Sequence, residues 1–171
     1  HQDMEIISYV KNGAIEHKDS MGNVERLPAG EFQLMSAGTG VTHSEYNPST
    51  SGSLEFLQIW IEPNAVGIEP GYQQKVFAAR EGLQLIASPD ARDGSLLLHQ
   101  DACLYQLCLS TGHSVSHSLI PGRTVYVHVV SGAIGLNGAH LSEGDGATVR
   151  TDDVVEFTAN EKSEALVFDL P

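Results

Sequence analysis

The sequence predicts an all-β protein built as a sandwich or barrel. Apolar, β-branched and aromatic residues gather in runs of roughly four to eight, and each run ends at Gly, Asn, Asp or Pro. The bulk composition agrees: hydrophobic residues make up 41% and charged residues 18% of 171, enough apolar material for a sizeable core in one domain or two compact modules.

Taken in order, Glu5-Ile-Ile-Ser-Tyr-Val10 reads as a strand ended by the hairpin-type turn Lys11-Asn-Gly13, with Ala14-Ile-Glu-His17 as its partner. Asp19-Ser-Met-Gly22 and Pro28-Ala-Gly30 are further turns. Phe32 to Met35, Val41 to Glu45 and Leu54 to Ile61 are the next strands. Residues 63–94, broken by Pro and Gly, read as a connector that carries one strand, Leu83 to Ala87. The second half repeats the theme with Ser95 to His99, Cys103 to Leu109, His113 to Leu119, Thr124 to Val130, Ala133 to Leu136, Ala147 to Arg150, Val154 to Thr158 and Ala165 to Leu170. An internal match adds to this. Tyr9-Val-Lys-Asn-Gly-Ala-Ile15 aligns with Val129-Val-Ser-Gly-Ala-Ile134 after one gap, and Leu27-Pro-Ala-Gly-Glu31 aligns with Leu141-Ser-Glu-Gly-Asp145; two copies of one β-module would account for both.

Nine Lys and Arg against twenty-two Asp and Glu leave a net charge of −13. That field repels phosphates, which argues against direct nucleic-acid binding and against anionic membrane surfaces. No stretch is long and apolar enough for a spanning helix. The two cysteines, Cys103 and Cys108, are an odd number of residues apart, so one strand would point them to opposite faces. A disulfide is therefore not expected, which suits a reducing cytoplasm, and no targeting signal is apparent ahead of His1.

Chemistry concentrates in the first half. His43 and Glu45 alternate in a strand-like run, so both side chains leave one face. His1, Asp3 and Glu5 open another strand. Imidazole nitrogens with one carboxylate, leaving positions open, suit a redox-active or Lewis-acidic metal. Spacing alone leaves a second reading open, in which His43 only makes hydrogen bonds and Glu45 is solvated.

Two longer patterns bear on that choice. Gly22, Pro28 and Gly30 followed by His43 and Asn47 resemble the second cupin signature, and His1 and Glu5 followed by Gly13 resemble the end of the first, both with longer spacings than usual. The segments His1-Gln-Asp-Met-Glu-Ile6, His17-Lys-Asp-Ser-Met-Gly-Asn23, Met35-Ser-Ala-Gly-Thr-Gly-Val-Thr-His-Ser-Glu-Tyr-Asn-Pro48, Leu57-Gln-Ile-Trp-Ile61 and Ser88-Pro-Asp-Ala-Arg-Asp-Gly-Ser95 resemble the pirins, in particular the bacterial pirin-like quercetin dioxygenases.

The resemblance implies a bicupin, two antiparallel, jelly-roll-like β-barrels in tandem. Residues 1–62 would form an N-terminal metal-binding barrel lacking its first strands, 63–94 the connector, and 95–171 a C-terminal barrel without metal. It implies one divalent transition metal held by three His and one Glu, iron first, with copper, nickel, cobalt, manganese and zinc as alternatives. His43 and Glu45 match the last two ligands. His1 matches the second His of a His-Pro-His motif whose first His would lie upstream. The implied reaction opens the central ring of a flavonol with dioxygen and releases carbon monoxide; a carboxylate must then take the 3-hydroxyl proton, and Glu45 is the candidate base if it detaches from, or hydrogen-bonds beside, the metal. The alternative that the family offers is a regulatory metal protein, a transcriptional co-regulator or partner of a metabolic enzyme, for which the acidic charge suits a basic protein surface.

The remaining features take plainer readings. His113 and His117 have helical ligand spacing in a strand-like run, and His17, His99, His128 and His140 are expected at the surface or in hydrogen bonds. Trp60 alternates with apolar neighbours and is expected in the core. Gly38-Thr-Gly40 reads as a turn, and Asn47-Pro-Ser49 has Pro where a glycosylation sequon forbids it.

Overall fold

A computed structural model describes residues 1–150 and 153–171. Its regular structure is β apart from one 3-10 turn at Arg92–Gly94, and among the described residues no helix is long and apolar enough to cross a membrane. The chain divides into two compact units, His1–Ala78 with Leu96–Gln100, and Ala79–Ser95 with Asp101–Pro171.

The first unit contains β1 (Asp3–Asn12), β2 (Ala14–Asp19), β3 (Val24–Pro28), β4 (Glu31–Gly38), β5 (His43–Tyr46), β6 (Glu55–Ile61) and β7 (Gly71–Val76). The chain then passes through β8 (Gly82–Ser88), in the second unit, and returns briefly to the first with β9 (Leu96–Leu97). The second unit continues with β10 (Cys103–Leu109), β11 (Ser114–Ser118), β12 (Thr124–Ser131), β13 (Ala133–Leu136), β14 (Ala139–Ser142), β15 (Gly146–Val149), β16 (Val154–Ala159) and β17 (Ser163–Leu170). In the first unit one antiparallel sheet runs β6-β1-β4-β7 and another β3-β2-β5. In the second, one runs β15-β12-β17-β10-β8 and the other β11-β16-β13-β14.

Three strands escape the sequence reading: β3, β7 and β14. All are edges, and their polar or proline-bearing sequences (Val24-Glu-Arg-Leu-Pro28, Gly71-Tyr-Gln-Gln-Lys-Val76, Ala139-His-Leu-Ser142) reflect strands that pair on one side only. The stretch 63–94 holds both β7, paired with β4 in the first unit, and β8, paired with β10 in the second. Ser95 to His99 contributes only Leu97 and its neighbour as a strand. There the side chain of Gln73 brackets the Leu97 backbone, its Oε1 accepting from Leu97 N at 2.8 Å and its Nε2 donating to Leu97 O at 2.9 Å.

The internal match has a structural counterpart. Gly13 joins β1 to β2 at φ +82°, and Gly132 joins β12 to β13 at φ +71°. A Cβ at either glycine would sit 2.6 Å from a backbone carbonyl oxygen, of Ser53 or of Lys162. Gly30 N donates to Val10 O and Gly144 N donates to Val129 O, both at 2.9 Å. Each unit also carries a register shift beside its glycine turn, between Val10 and Asn12 against β6 and between Val129 and Ser131 against β17.

This geometry separates two effects of glycine. Gly30→Ala should cost about 1–2 kcal/mol, the penalty of a left-handed backbone for a residue with a Cβ, because nothing lies within 4 Å of the added atom. Gly132→Ala should cost more, since a carbonyl must move as well. Urea midpoints at equal m-value test the order; equal losses would contradict the close-approach argument.

Candidate metal centre

The register of β2 against β5 builds the centre. Across this antiparallel pair His17 lies opposite Glu45 and Asp19 opposite His43. Opposed residues share a face, and so do residues two apart on one strand. The pairing therefore gathers His17, Asp19, His43 and Glu45 on one side of the three-stranded sheet.

The other sheet answers with a polar row. Ser8 in β1 is in register with Gln33 of β4 and with Gln58 of β6. All three donate to Glu45: Ser8 Oγ at 3.1 Å and Gln33 Nε2 at 2.8 Å to Oε1, and Gln58 Nε2 at 2.7 Å to Oε2. His17 Nδ1 lies 3.7 Å from Oε1, and its other nitrogen, Nε2, is 3.1 Å from Asp19 Oδ2. Asp19 also accepts from Met21 N and Asn23 N on Oδ1 and from Asn23 Nδ2 on Oδ2, which makes the predicted turn a carboxylate cradle.

The charges follow from these contacts. Burial alone would raise the Glu45 carboxyl, but the His17 ring 3.7 Å away and hydrogen bonds from Gln33 and Ser8 hold it below its usual range. Asp19 is likewise depressed, burial being outweighed by Asn23 and His17. Burial would lower His17, yet the carboxylates of Glu45, 3.7 Å from Nδ1, and of Asp19, hydrogen-bonded to Nε2, raise it. Burial keeps His43 below the usual imidazole value, so it favours the neutral form that a metal requires.

Candidate ligand atoms of His17, His43 and Glu45 lie within 4.8 Å of one another, the one such group of three or more among the described residues. His43 Nδ1 is buried and has no hydrogen-bond partner among them. An orphaned imidazole nitrogen beside an ionised carboxylate fits a divalent cation. His1 is brought close but stands outside the trio: its carbonyl accepts from Val41 N at 3.0 Å, and its ring lies 4.9 Å from that of His43.

Sequence reasoning passed over His17, Asp19, Gln33 and Gln58. His17 is wholly buried and hydrogen-bonded. The His17-x-Asp19 alternation was a usable signal; its partner across the sheet was not. Trp60 corrects the core expectation, being 54% exposed. It shares a face with Gln58, to whose Oε1 its indole N–H donates at 3.0 Å, and it meets the His1 ring edge-on, while Leu57, Ile59 and Ile61 take the alternate face. His113 and His117 go to separate carboxylates, Glu81 and Asp169, and His99 to the buried Glu5.

The depressed carboxyls and the raised imidazole give opposite pH limbs. The stability contributed by Asp19 is whole above about pH 4.5 and is lost as pH falls through its folded pKa; that of His17 is whole below about pH 6.5 and is lost as pH rises through its own. The difference in thermal midpoint between the metal-free wild type and Asp19→Asn should therefore be largest between those values and shrink on both sides. A difference constant from pH 3 to 9 would refute the coupling.

Comparison with known proteins places these residues in context. A family model described as Pirin matches residues 1–61, and one described as quercetinase C-terminal cupin domain matches residues 85–170. The chain is 50% identical over 171 residues to the quercetin 2,3-dioxygenase of Escherichia coli strain K12, covering 100% of this chain and 74% of that protein. It is similar to the crystal structure of YhhW from Escherichia coli, with TM-score 0.98 and 50% identity over 100% of this chain and 73% of that one. It is also similar to the structure of the bacterial pirin YhhW in complex with nickel(II), with TM-score 0.96 and 49% identity over 100% and 74%.

Proposed function

The chain belongs to the pirin family, a bicupin fold, and on that premise we propose that it is a metal-dependent dioxygenase that opens the central ring of quercetin-like flavonols. The observation that carries the reading is the orphaned, buried Nδ1 of His43 beside the ionised Glu45 in a chain that is 50% identical to a quercetin 2,3-dioxygenase.

His43 and Glu45 would hold one divalent metal, with His1 beside them as a further ligand. Bound there, the metal supplies a Lewis-acidic, redox-capable centre for a flavonol oxygen and for dioxygen. Glu45 accepts the proton of the flavonol 3-hydroxyl when its free oxygen is detached from the metal or hydrogen-bonded beside it. Its Oε1 is already occupied by Ser8 and Gln33, so Oε2, which takes one donor from Gln58, is the oxygen with capacity to spare. Trp60, half exposed and edge-on to His1, offers a flat apolar surface for an aromatic ring at the same side.

The decisive measurement is oxygen uptake with quercetin by the protein loaded in turn with iron, copper, manganese, nickel and cobalt. Turnover with at least one metal is expected, with chelation abolishing it and Glu45→Gln lowering kcat by about 10²–10⁴-fold at full metal occupancy. Absence of uptake with every metal would overturn the reading, and unchanged turnover in Glu45→Gln would remove Glu45 as base.

A second reading, a metal-containing regulatory protein without relevant catalysis, draws support from the net charge of −13, which suits a basic protein surface. Metal-dependent capture of a partner that weakens with salt, in a protein that fails the oxygen-uptake test, would favour it.

A further inference from the structure

We propose that Asp19, His17 and Gln33 form a buried positioning chain that fixes the Glu45 carboxylate, with His17 acting beside the metal and not on it. The inference rests on the reading of His43 and Glu45 as the metal-holding pair.

Directionality carries the argument. Asp19 is acceptor-only and already receives Met21 N, Asn23 N and Asn23 Nδ2, so its contact with His17 places the proton on His17 Nε2. In the neutral ring this leaves the Nδ1 lone pair pointing inward, 3.4 Å from Gln33 Nε2. The Gln33 amide has its orientation set by Glu45, whose carboxylate only accepts; on the far side Tyr72 Oη shares its one proton between Gln33 Oε1 at 3.1 Å and Gln74 Oε1 at 2.7 Å. Its two N–H groups are thereby committed, one toward His17 Nδ1 and one to Glu45 Oε1 at 2.8 Å. The Tyr72 ring also packs on the His17 ring, with centroids 4.9 Å apart.

Each member is sequestered from water. His17 and Gln33 are 0% exposed, and the Asp19 side chain is likewise 0% exposed. A buried relay that ends on a carboxylate oxygen costs desolvation at every member, and a purely apolar filling would fold as well. Its effect is to hold Oε1, leaving Oε2 as the oxygen that meets metal or substrate. Outer partners that orient a ligating group in this way are worth about 10–100-fold in metal affinity or activity.

His17→Phe keeps the ring against Tyr72 and removes both nitrogens. His17→Asn can return an acceptor, its Oδ1, near the Nδ1 position in place of the imidazole nitrogen. Asp19→Asn alters the proton's partner and tests the same chain should His17→Phe fail to fold. The probes are nickel(II) affinity by calorimetry, the number of imidazole nitrogens bound to copper(II) by electron paramagnetic resonance, and kcat and KM with quercetin at saturating metal.

Positioning predicts that His17→Phe and Asp19→Asn weaken nickel affinity or lower kcat by about 10–100-fold. It also predicts an unchanged imidazole count, an unchanged KM and partial recovery in His17→Asn. Loss of one imidazole from the copper spectrum in His17→Phe would make His17 a ligand and overturn the proposal. So would an Asn variant no better than Phe, or wild-type affinity and kcat in both His17→Phe and Asp19→Asn. A wild type that binds nickel without turning over quercetin would sink the dioxygenase reading alone, with affinity and imidazole count still deciding the positioning chain. A wild type that binds no metal would overturn both.

Discussion

The antiparallel register of β2 on β5 is the constraint from which the first unit's chemistry follows. With His17 opposite Glu45 and Asp19 opposite His43, every group of the centre comes to one face. A slip of one residue would send half of them to the other side of the sheet, because the side-chain period of a strand is two. The register is held at both ends. Asp19 ties the β2 terminus to its turn through Met21 and Asn23, and Gly13, which no residue with a Cβ could replace without moving Ser53, anchors the start. The polar row of β6, β1 and β4 then has a single carboxylate to meet, and three donors converge on it.

The second unit shows what the same module does without that demand. Counting from its own glycine turn and strand pairings, Leu136 holds the place of His17, Phe157 that of Glu45 and Val155 that of His43. Val127, Ala147 and Val167 hold the places of Ser8, Gln33 and Gln58. All but Ala147, which packs against it, belong to one buried apolar cluster. The module therefore closes well on hydrophobic side chains alone. In the first unit those positions carry hydrogen-bonding and ionised groups, which burial makes costly unless each is paired. Among the described residues the buried polar atoms at these positions are paired, apart from His43 Nδ1. An unsatisfied buried nitrogen in such a network is where an external cation has something to gain, and local rules are expected to break at such functional positions.

Membership of the pirin family and the closeness to a nickel-bound pirin agree with that arrangement, although they do not generate it. Ser8, Gln33 and Gln58 turn a carboxylate that burial would neutralise into one that stays ionised. An ionised carboxylate with one oxygen saturated and the other open can serve as ligand or as proton acceptor; the same three donors would disfavour a protonated acid.

Period and punctuation were sufficient for much of this. Alternating apolar runs, glycine turns and the duplicated Gly-Ala-Ile segments determine an all-β chain of two similar modules, because strand alternation and positive-φ turns are local properties of the backbone. His43 and Glu45 on one face follow for the same reason. Only tertiary structure decided that His17 and Asp19 belong with them, that Gln33 and Gln58 aim at Glu45, and that Trp60 lies with the polar row instead of the core. Those facts depend on which strands become neighbours and in what register, and residues as far apart as Ser8 and Glu45 acquire a relation only when the sheets close over them.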